Sequence, residues 1–461
     1  MSEAGVGELL SILMVLCTFA ALLLGFPVAF TLGGVAVIFA FLGSYFDVFP
    51  WPFMSSLLGR VYGIATSDTL VAIPLFVFMG VMLERSRIAE ELLQTMGEMF
   101  RQRPGGLGIS VILVGTLLAA STGIVGATVV TMGLISLPTM LRAGYDKGLA
   151  SGIICSSGTL AQIIPPSTVL ILLAHQLQGT YMEANMAMGN FAAVPVSTSD
   201  LFAGAMLPGL LLAACYVVFV AVYAYFRPES CPPVVAAKHE SRLLVRVLKS
   251  FVPPIMLIAI VLGSILGGFA TASESAAVGA VGAMMLAAFR WRLSIPILRD
   301  VCNTTILINT MIFVILIGAT FFSLVFRGLG GEQLAQDSLS LIPGGLMGAM
   351  LTVLLILFLL GFFLDTFEII FIATPIFAPV LFMLGADPIV LGVTMGLVLQ
   401  TAYLTPPFGF AIFYLQGTTD QLETVTIYRG VIPFILVQVL LILFILLFPD
   451  IITWLPGMLQ R

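Results

Sequence analysis

Residues 117–167 read LLAASTGIVGATVVTMGLISLPTMLRAGYDKGLASGIICSSGTLAQIIPPS. The stretch is apolar enough to lie in a bilayer. Its middle nevertheless carries groups that an uninterrupted spanning helix avoids: Ser121-Thr122-Gly123, Ser156-Ser157-Gly158-Thr159 and the pair Pro165-Pro166. The same punctuation returns 241 residues later: Pro138 falls on Pro379, Gly144 on Gly385, Asp146 on Asp387, Pro165 on Pro406 and Pro166 on Pro407. The second copy reads LGFFLDTFEIIFIATPIFAPV over 360–380 and LQTAYLTPPFG over 399–409. Such coincidences at one fixed offset mean a duplicated unit, each copy with hydroxyl or carboxylate groups beside a helix break.

Composition sets the environment. Of 461 residues, 60% are hydrophobic and 9% charged, with mean hydropathy +1.16, where a soluble domain carries about 25% charged residues. The chain is therefore expected to be an all-α polytopic membrane protein, in or near the lipid bilayer over almost its whole length. Its 45 glycines and 25 prolines suit that setting, because both are commoner in membrane helices than in soluble ones. A net charge of −5 without a basic patch leaves no footprint for nucleic acid. The five cysteines, at 17, 155, 215, 231 and 302, show no CxxC or Cys/His spacing and read as small apolar packing residues. GxxxxGK[ST], HExxH and GxSxG are all missing, so no enzyme activity, cofactor or transition metal is expected. The first apolar run follows Glu3 and Glu8, not a basic segment, and reads as a retained helix.

A bilayer span needs roughly 20 apolar residues. Stretches 9–24, 28–42 and 69–83 approach that length, and 44–68 is mixed aromatic and polar, suiting the interface with Trp51 near the headgroups. Residues 84–103 place Ile88, Leu92, Met96 and Met99 at helical intervals, the pattern of an amphipathic helix on the membrane surface. The apolar run 107–141 is interrupted near 121–126 and has basic residues at both ends, Arg101 and Arg103 before it, Arg142 and Lys147 after it. Positive charge gathers on the cytoplasmic side, so these flanks predict a re-entrant hairpin that enters and leaves by one face. Stretch 149–177 then crosses with a break around 156–166, 178–200 is an external connection, and 201–226 returns to a basic cytoplasmic linker, 227–250, with Arg227, Lys238, Arg242, Arg246 and Lys249.

The second half runs out over 251–269, back over 276–289 and out over 301–326 to an external loop, 328–342, at whose edge Arg327 is an awkward charge. A second hairpin, 344–384, enters from outside with Asp365 and Glu368 near its middle. Stretch 389–415 crosses with a break over 400–407, and 431–448 leads to an external C-terminus. The halves are thus expected to be inverted copies. The chain divides into N-terminal scaffold helices and surface helix (1–106), first hairpin and broken helix (107–177), insertion, scaffold and linker (178–343), second hairpin and broken helix (344–416) and C-terminal helix (417–461).

Paired interrupted hydrophobic segments in corresponding halves point to the binding site of a secondary transporter. A helix that stops in mid-membrane leaves about four N–H and four C=O groups unpartnered at each end. Such backbone survives only where protein buries it or where it lines a cavity. Carbonyls and hydroxyls there can cage Na+, and helix N-termini can hold an anion. Ser121, Thr122, Ser156, Ser157 and Thr159, with Asp365, Thr366, Gln400, Thr401 and Thr405 in the second copy, are the candidates; the competing role for each hydroxyl is interhelical packing. An intramembrane carboxylate costs roughly 3 kcal/mol or more and marks function by default, which singles out Asp365. Glu368 and Glu274 are candidates for transport or for helix capping, Asp146 and Asp387 read as caps, and His175 as a packed histidine.

These blocks, with GGFATASESAAVGAV over 267–281 between them, resemble the large membrane subunit of tripartite ATP-independent periplasmic (TRAP) transporters over nearly the whole chain. The resemblance implies an inverted-repeat, elevator-type transporter with two re-entrant hairpins and two broken helices in a bacterial inner membrane. It implies two partners, a small four-helix membrane subunit and a periplasmic substrate-binding protein that delivers an organic acid, with Na+ as coupling ion. It places Na+ and substrate at Ser121, Thr122, Gly123, Gly126, Ser156, Ser157, Gly158, Thr159, Pro165 and Pro166, and at Asp365, Thr366, Gln400, Thr401, Thr405, Pro406 and Pro407. Two features depart from the usual pattern: STGIVGAT and TASESAA replace a Gly-Ser-rich tip and TPTEAA, and the polar insertion 178–200 is longer. A stand-alone dicarboxylate or citrate carrier, and an ion channel, are the alternative readings.

Overall fold

The computed structural model describes residues 3–86, 88–99, 103–233 and 243–459. Arg101 at the foot of the first hairpin and Lys238 and Arg242 of the basic linker lie outside these residues. Within them the chain is helical, with short 3-10 turns and no strand, as a bilayer demands of a chain that must pair its own peptide groups. The first half contains α1 (Glu3–Leu23), α2 (Val28–Tyr45), α3 (Ser56–Ala65), α4 (Asp68–Arg85), α5 (Ile88–Met99), α6 (Gly106–Thr122), α7 (Val125–Arg142), α8 (Lys147–Thr159), α9 (Thr168–Ala187) and α10 (Thr198–Phe226). The second contains α11 (Leu243–Leu266), α12 (Ala272–Phe289), α13 (Ile295–Gly328), α14 (Gly331–Ser340), α15 (Gly345–Leu360), α16 (Thr366–Met383), α17 (Pro388–Leu404), α18 (Phe410–Gln416), α19 (Thr424–Leu447) and α20 (Asp450–Leu459). Among the described residues nine helices are long and apolar enough to cross a membrane, or ten if Trp51–Ala65 and α4, bent by 48°, form one span.

The duplication reaches the backbone. Shifted by the same offset, the bounds of α7 coincide with those of α16. Asp146 caps α8, its carboxylate accepting the Leu149 N–H at 2.8 Å, and Asp387 caps α17 through Ile389 and Val390 at 2.8 and 2.9 Å. Two residues before each cap stands a glycine with left-handed backbone, Gly144 at φ 86° and Gly385 at φ 94°, a conformation that a Cβ would penalise. Both proline pairs are joined by cis peptides. Asp146→Ala and Asp387→Ala are each expected to cost about 1 kcal/mol. The check is a lowered melting temperature of the detergent-solubilised protein, lower still in the double variant because the two sites are independent.

Packing follows the repeat. α2 packs against α13 and α12 against α4. α2 and α12 hold equivalent places, as do α4 and the C-terminal half of α13, so each half clasps the other. Where the first copy bends at 48°, the second runs unbroken through the 34 residues of α13, about 50 Å of helix. The helices around the breaks are the deepest: all of α8 from Leu149 to Thr159 and all of α17 from Leu391 to Leu404 are buried. α8 packs on α19, α9 on α16, and α17 on α10, α15 and α19.

Several expected loops are helices. Residues 178–187 continue α9, so the connection to α10 shrinks to 188–197, and 331–340 form α14. Counting apolar residues marks such stretches as loops, although Gln, Glu, Met and Ala are adequate helix formers. The segment after Trp51 is a 3-10 turn leading into α3, and 243–250 of the linker belong to α11. α5 turns Leu92, Leu93 and Met96 against protein, packing on α6 and α11, where the sequence suggested a lipid-facing surface helix. Both breaks begin later than expected. α8 runs through Thr159 and α17 through Leu404.

Candidate functional site

The first hairpin turns in two residues. α6 ends at Gly123, left-handed at φ 60°, and α7 starts at Val125. The Thr168 hydroxyl donates to the Gly123 carbonyl at 2.8 Å. A Cβ on Gly123 would lie 3.2 Å from the Pro166 carbonyl oxygen and from the Thr168 nitrogen, so the tip is pressed onto the first double proline. The second hairpin turns over 361–365, and Asp365 is the N-cap of α16. The Glu368 carboxylate accepts the Asp365 backbone N–H at 3.0 Å, completing a capping box. Two side chains from the broken helices hold this tip. The Gln162 amide donates to the Thr366 hydroxyl at 3.0 Å, and the Tyr403 hydroxyl donates to Asp365.

Both tips, Gln162, Tyr403 and Tyr414 enclose a cavity of about 80 Å³. Its two sides differ in chemistry. The N-caps of α7 and α9, Ile124 and Ser167, give no side-chain cap, so the first-turn N–H groups carry the positive end of each helix dipole without a side-chain acceptor. In the same cavity wall are Asp365 and Gln162, whose Oε1 is a buried acceptor without a partner among the described residues. Leaving such an atom unpaired costs about 1–3 kcal/mol, a penalty that a bound cation or donor would remove. One small cavity thus offers acceptors for a cation beside donors for an anion.

Of the residues proposed from sequence, Gly123, Gly126, Asp365 and Thr366 line this cavity. Ser121 and Thr122 sit one turn behind it, both donating to the Leu118 carbonyl, at 2.9 and 3.0 Å, and Thr122 also pairs with Thr128 at 2.7 Å. Ser156, Ser157 and Thr159 donate to the carbonyls of Ile153, Ile154 and Ser156 at 3.2, 3.1 and 2.9 Å. Thr401 and Thr405 donate to Leu397 and Thr401 at 2.8 and 2.7 Å. Gly158 lies where a Cβ would come within 2.3 Å of the Val129 side chain. Gln400 is buried, with neither amide atom in a hydrogen bond of normal geometry among the described residues. Pro165 and Pro166 back the first tip. In the second pair, after Pro406, the Pro407 carbonyl accepts the Tyr428 hydroxyl at 2.7 Å.

Gln162, Tyr403 and Tyr414 also line the cavity and are not among the residues expected from the sequence. The repeat itself holds the signal for two of them, since the 241-residue offset carries Gln162 onto Tyr403. Glu274 is a cap: its carboxylate accepts the Thr271 N–H at 2.8 Å in a capping box. His175 is half-buried on α9 and makes no hydrogen bond among the described residues. Arg327, awkward for the expected topology, is held by two carboxylates, Glu183 at 3.0 and 2.5 Å and Glu332 at 3.1 Å.

The sequence model of the family described as "Tripartite ATP-independent periplasmic transporter, DctM component" matches residues 15–451. The C4-dicarboxylate TRAP transporter large permease protein DctM of Vibrio cholerae is 27% identical, over 97% of this chain and 98% of that one. The ectoine TRAP transporter large permease protein TeaC of Halomonas elongata is 26% identical, over 97% of this chain and 99% of that one. Among solved structures, the YdaH transporter of Alcanivorax borkumensis matches with TM-score 0.60 over 85% of this chain and 87% of that one, a likeness of fold alone at 15% identity. Because the family match runs through both hairpins and both broken helices, the chain belongs to the DctM component family of tripartite ATP-independent periplasmic transporters and is a TRAP large permease subunit.

Proposed function

We propose that this permease subunit imports an organic acid across a bacterial inner membrane by Na+-coupled symport, with a small four-helix membrane subunit and a periplasmic binding protein as partners. The observation that carries this reading is the cavity where both hairpin tips and both broken helices meet around Asp365. Na+ on the acceptor side, at Asp365 and Gln162, would neutralise the carboxylate and add positive charge beside the open N-termini of α7 and α9. A cargo carboxylate would then bind better with Na+ present, and by reciprocity would tighten Na+. Relatives named for C4-dicarboxylates and ectoine fit a small organic acid as cargo.

Movement is assigned to an elevator stroke of the hairpins and broken helices against α1–α4 and α11–α13. α10 and α19 travel with the mobile part because they pack on α17, and α19 also on α8. The test is uptake of a panel of radiolabelled carboxylates into proteoliposomes holding the permease, its small subunit and the co-encoded binding protein. Uptake is expected to require both an inward Na+ gradient and the binding protein. Accumulation that persists without Na+ and follows a proton gradient would remove the coupling assignment. Currents across a planar bilayer without the binding protein would replace a carrier with a channel.

A further inference from the structure

A second cavity, of about 150 Å³, lies between α3, α9, α13 and α16, with Arg60, Gln176, Glu183, Ser323 and Arg327 in its wall. Basic residues Arg290 and Arg292 precede α13, so the opposite end of that helix, where Arg327 stands, faces outward. The cavity therefore sits on the outer route toward the tips, between two helices assigned to the scaffold, α3 and α13, and two assigned to the mobile part, α9 and α16.

Its two arginines are in different states. Arg327 is fully engaged, with Glu183 accepting from both terminal nitrogens and Glu332 from Nε. It ties the helical extension of α9 to α13 and so builds the wall. Arg60 is half-buried and has no ion pair or hydrogen bond among the described residues. The Ser323 hydroxyl and the Gln176 amide, also half-buried, are likewise unbonded there. A partly desolvated guanidinium without a hydrogen-bonded partner is costly, and its planar fork matches a carboxylate through two parallel N–H···O bonds.

We propose that this cavity is a carboxylate-binding site on the outer route, in which Arg60 takes the carboxylate head-on while Ser323 and Gln176 donate to its remaining lone pairs. The assignment rests on the reading of the chain as an organic-acid permease. It adds a residue that sets apparent affinity without touching the tips.

Arg60→Gln tests it in two independent readouts, with succinate and pyruvate as the carboxylates. In proteoliposomes, using whichever of the two the unaltered chain accumulates, the half-saturating concentration is expected to rise about ten-fold, the worth of one charge-assisted pair. The maximal rate should stay within about two-fold, since the tip chemistry is untouched. Arg60→Lys should recover part of the loss, and Ser323→Leu, which fills the cavity, should shift half-saturation the same way. In the second readout, succinate at matched ionic strength should raise the melting temperature of the purified full chain but not that of Arg60→Gln. This melting result stands even if transport fails, which separates the site from the functional reading.

Unchanged half-saturation in both Arg60→Gln and Ser323→Leu would overturn the site. A fall in maximal rate alone would also overturn it, by making Arg60 part of the moving interface. So would an Arg60→Gln effect seen only in vesicles containing phosphatidylglycerol and absent in pure phosphatidylcholine, which would assign the guanidinium to a lipid phosphate.

Discussion

Asp365→Ala is expected to reduce Na+-driven uptake by about a hundred-fold at unchanged expression, because it removes the carboxylate from the cavity and strips Tyr403 of its acceptor. Two roles are superposed at this residue, and two substitutions separate them. As the N-cap of α16, Asp365 supports the helix start, a role asparagine fills about as well. In the proposed cation site, its negative charge beside the uncapped starts of α7 and α9 would set the sign of the ion that the cavity accepts, a role asparagine cannot fill. Asp365→Asn should therefore keep the melting temperature near that of the unaltered protein while losing Na+-dependent accumulation almost as completely as the alanine variant. Uptake by Asp365→Asn with unaltered Na+ dependence would reduce Asp365 to a cap. An alanine variant that fails only in thermal stability would do the same.

The parts of the fold legible in the sequence were those whose geometry is local. A glycine forced left-handed, an aspartate that caps the next helix and a proline pair that cannot continue one carry their conformations with them. That is why Gly144, Asp146 and Pro165-Pro166 could be laid on Gly385, Asp387 and Pro406-Pro407 and why the structure repeats them. What stayed hidden depends on partners distant in the chain. Arg327 looked misplaced until Glu183, 144 residues away, supplied its counter-charge, and that carboxylate is available only because α9 continues through a stretch too polar to register as a span.

The site was half legible for a related reason. Ser156, Ser157, Thr159, Thr401 and Thr405 have the right chemistry for a cation cage; each donates to a carbonyl of its own helix, which leaves its oxygen lone pairs as acceptors, but none of the five is in the wall of the cavity between the tips. Gln162 and Tyr403 reach the second tip from the broken helices, a convergence that no local pattern announces.

Gly152→Leu is expected to abolish the folded protein, and the reason reaches the site. α8, which delivers Gln162 to the cavity, meets α19 with backbone on backbone. A Cβ on Gly152 would lie 2.1 Å from the Gly430 carbonyl oxygen, and one on Gly430 would lie 2.0 Å from that of Gly148. Small residues four apart permit such an approach between membrane helices, where van der Waals contact replaces the missing hydrophobic drive. Neither oxygen belongs to a side chain that could swing aside, so an added carbon must part the two helices along their length. Gly152→Ala should cost about 1–3 kcal/mol as an overpacking strain, and leucine far more.

Because both glycines guard one contact, Gly152→Ala and Gly430→Ala combined should cost less than the sum of the two, the first having already opened the space the second needs. Gly34→Ala on α2, where a Cβ meets nothing within 4 Å, is the matched control and should be neutral or slightly stabilising. Monodisperse yield and melting temperature in detergent report all five variants, Gly152→Leu included. A Gly152→Ala protein as stable as the Gly34→Ala control would show that the α8–α19 contact can relax, and with it that the position of Gln162 is not set by this helix pair.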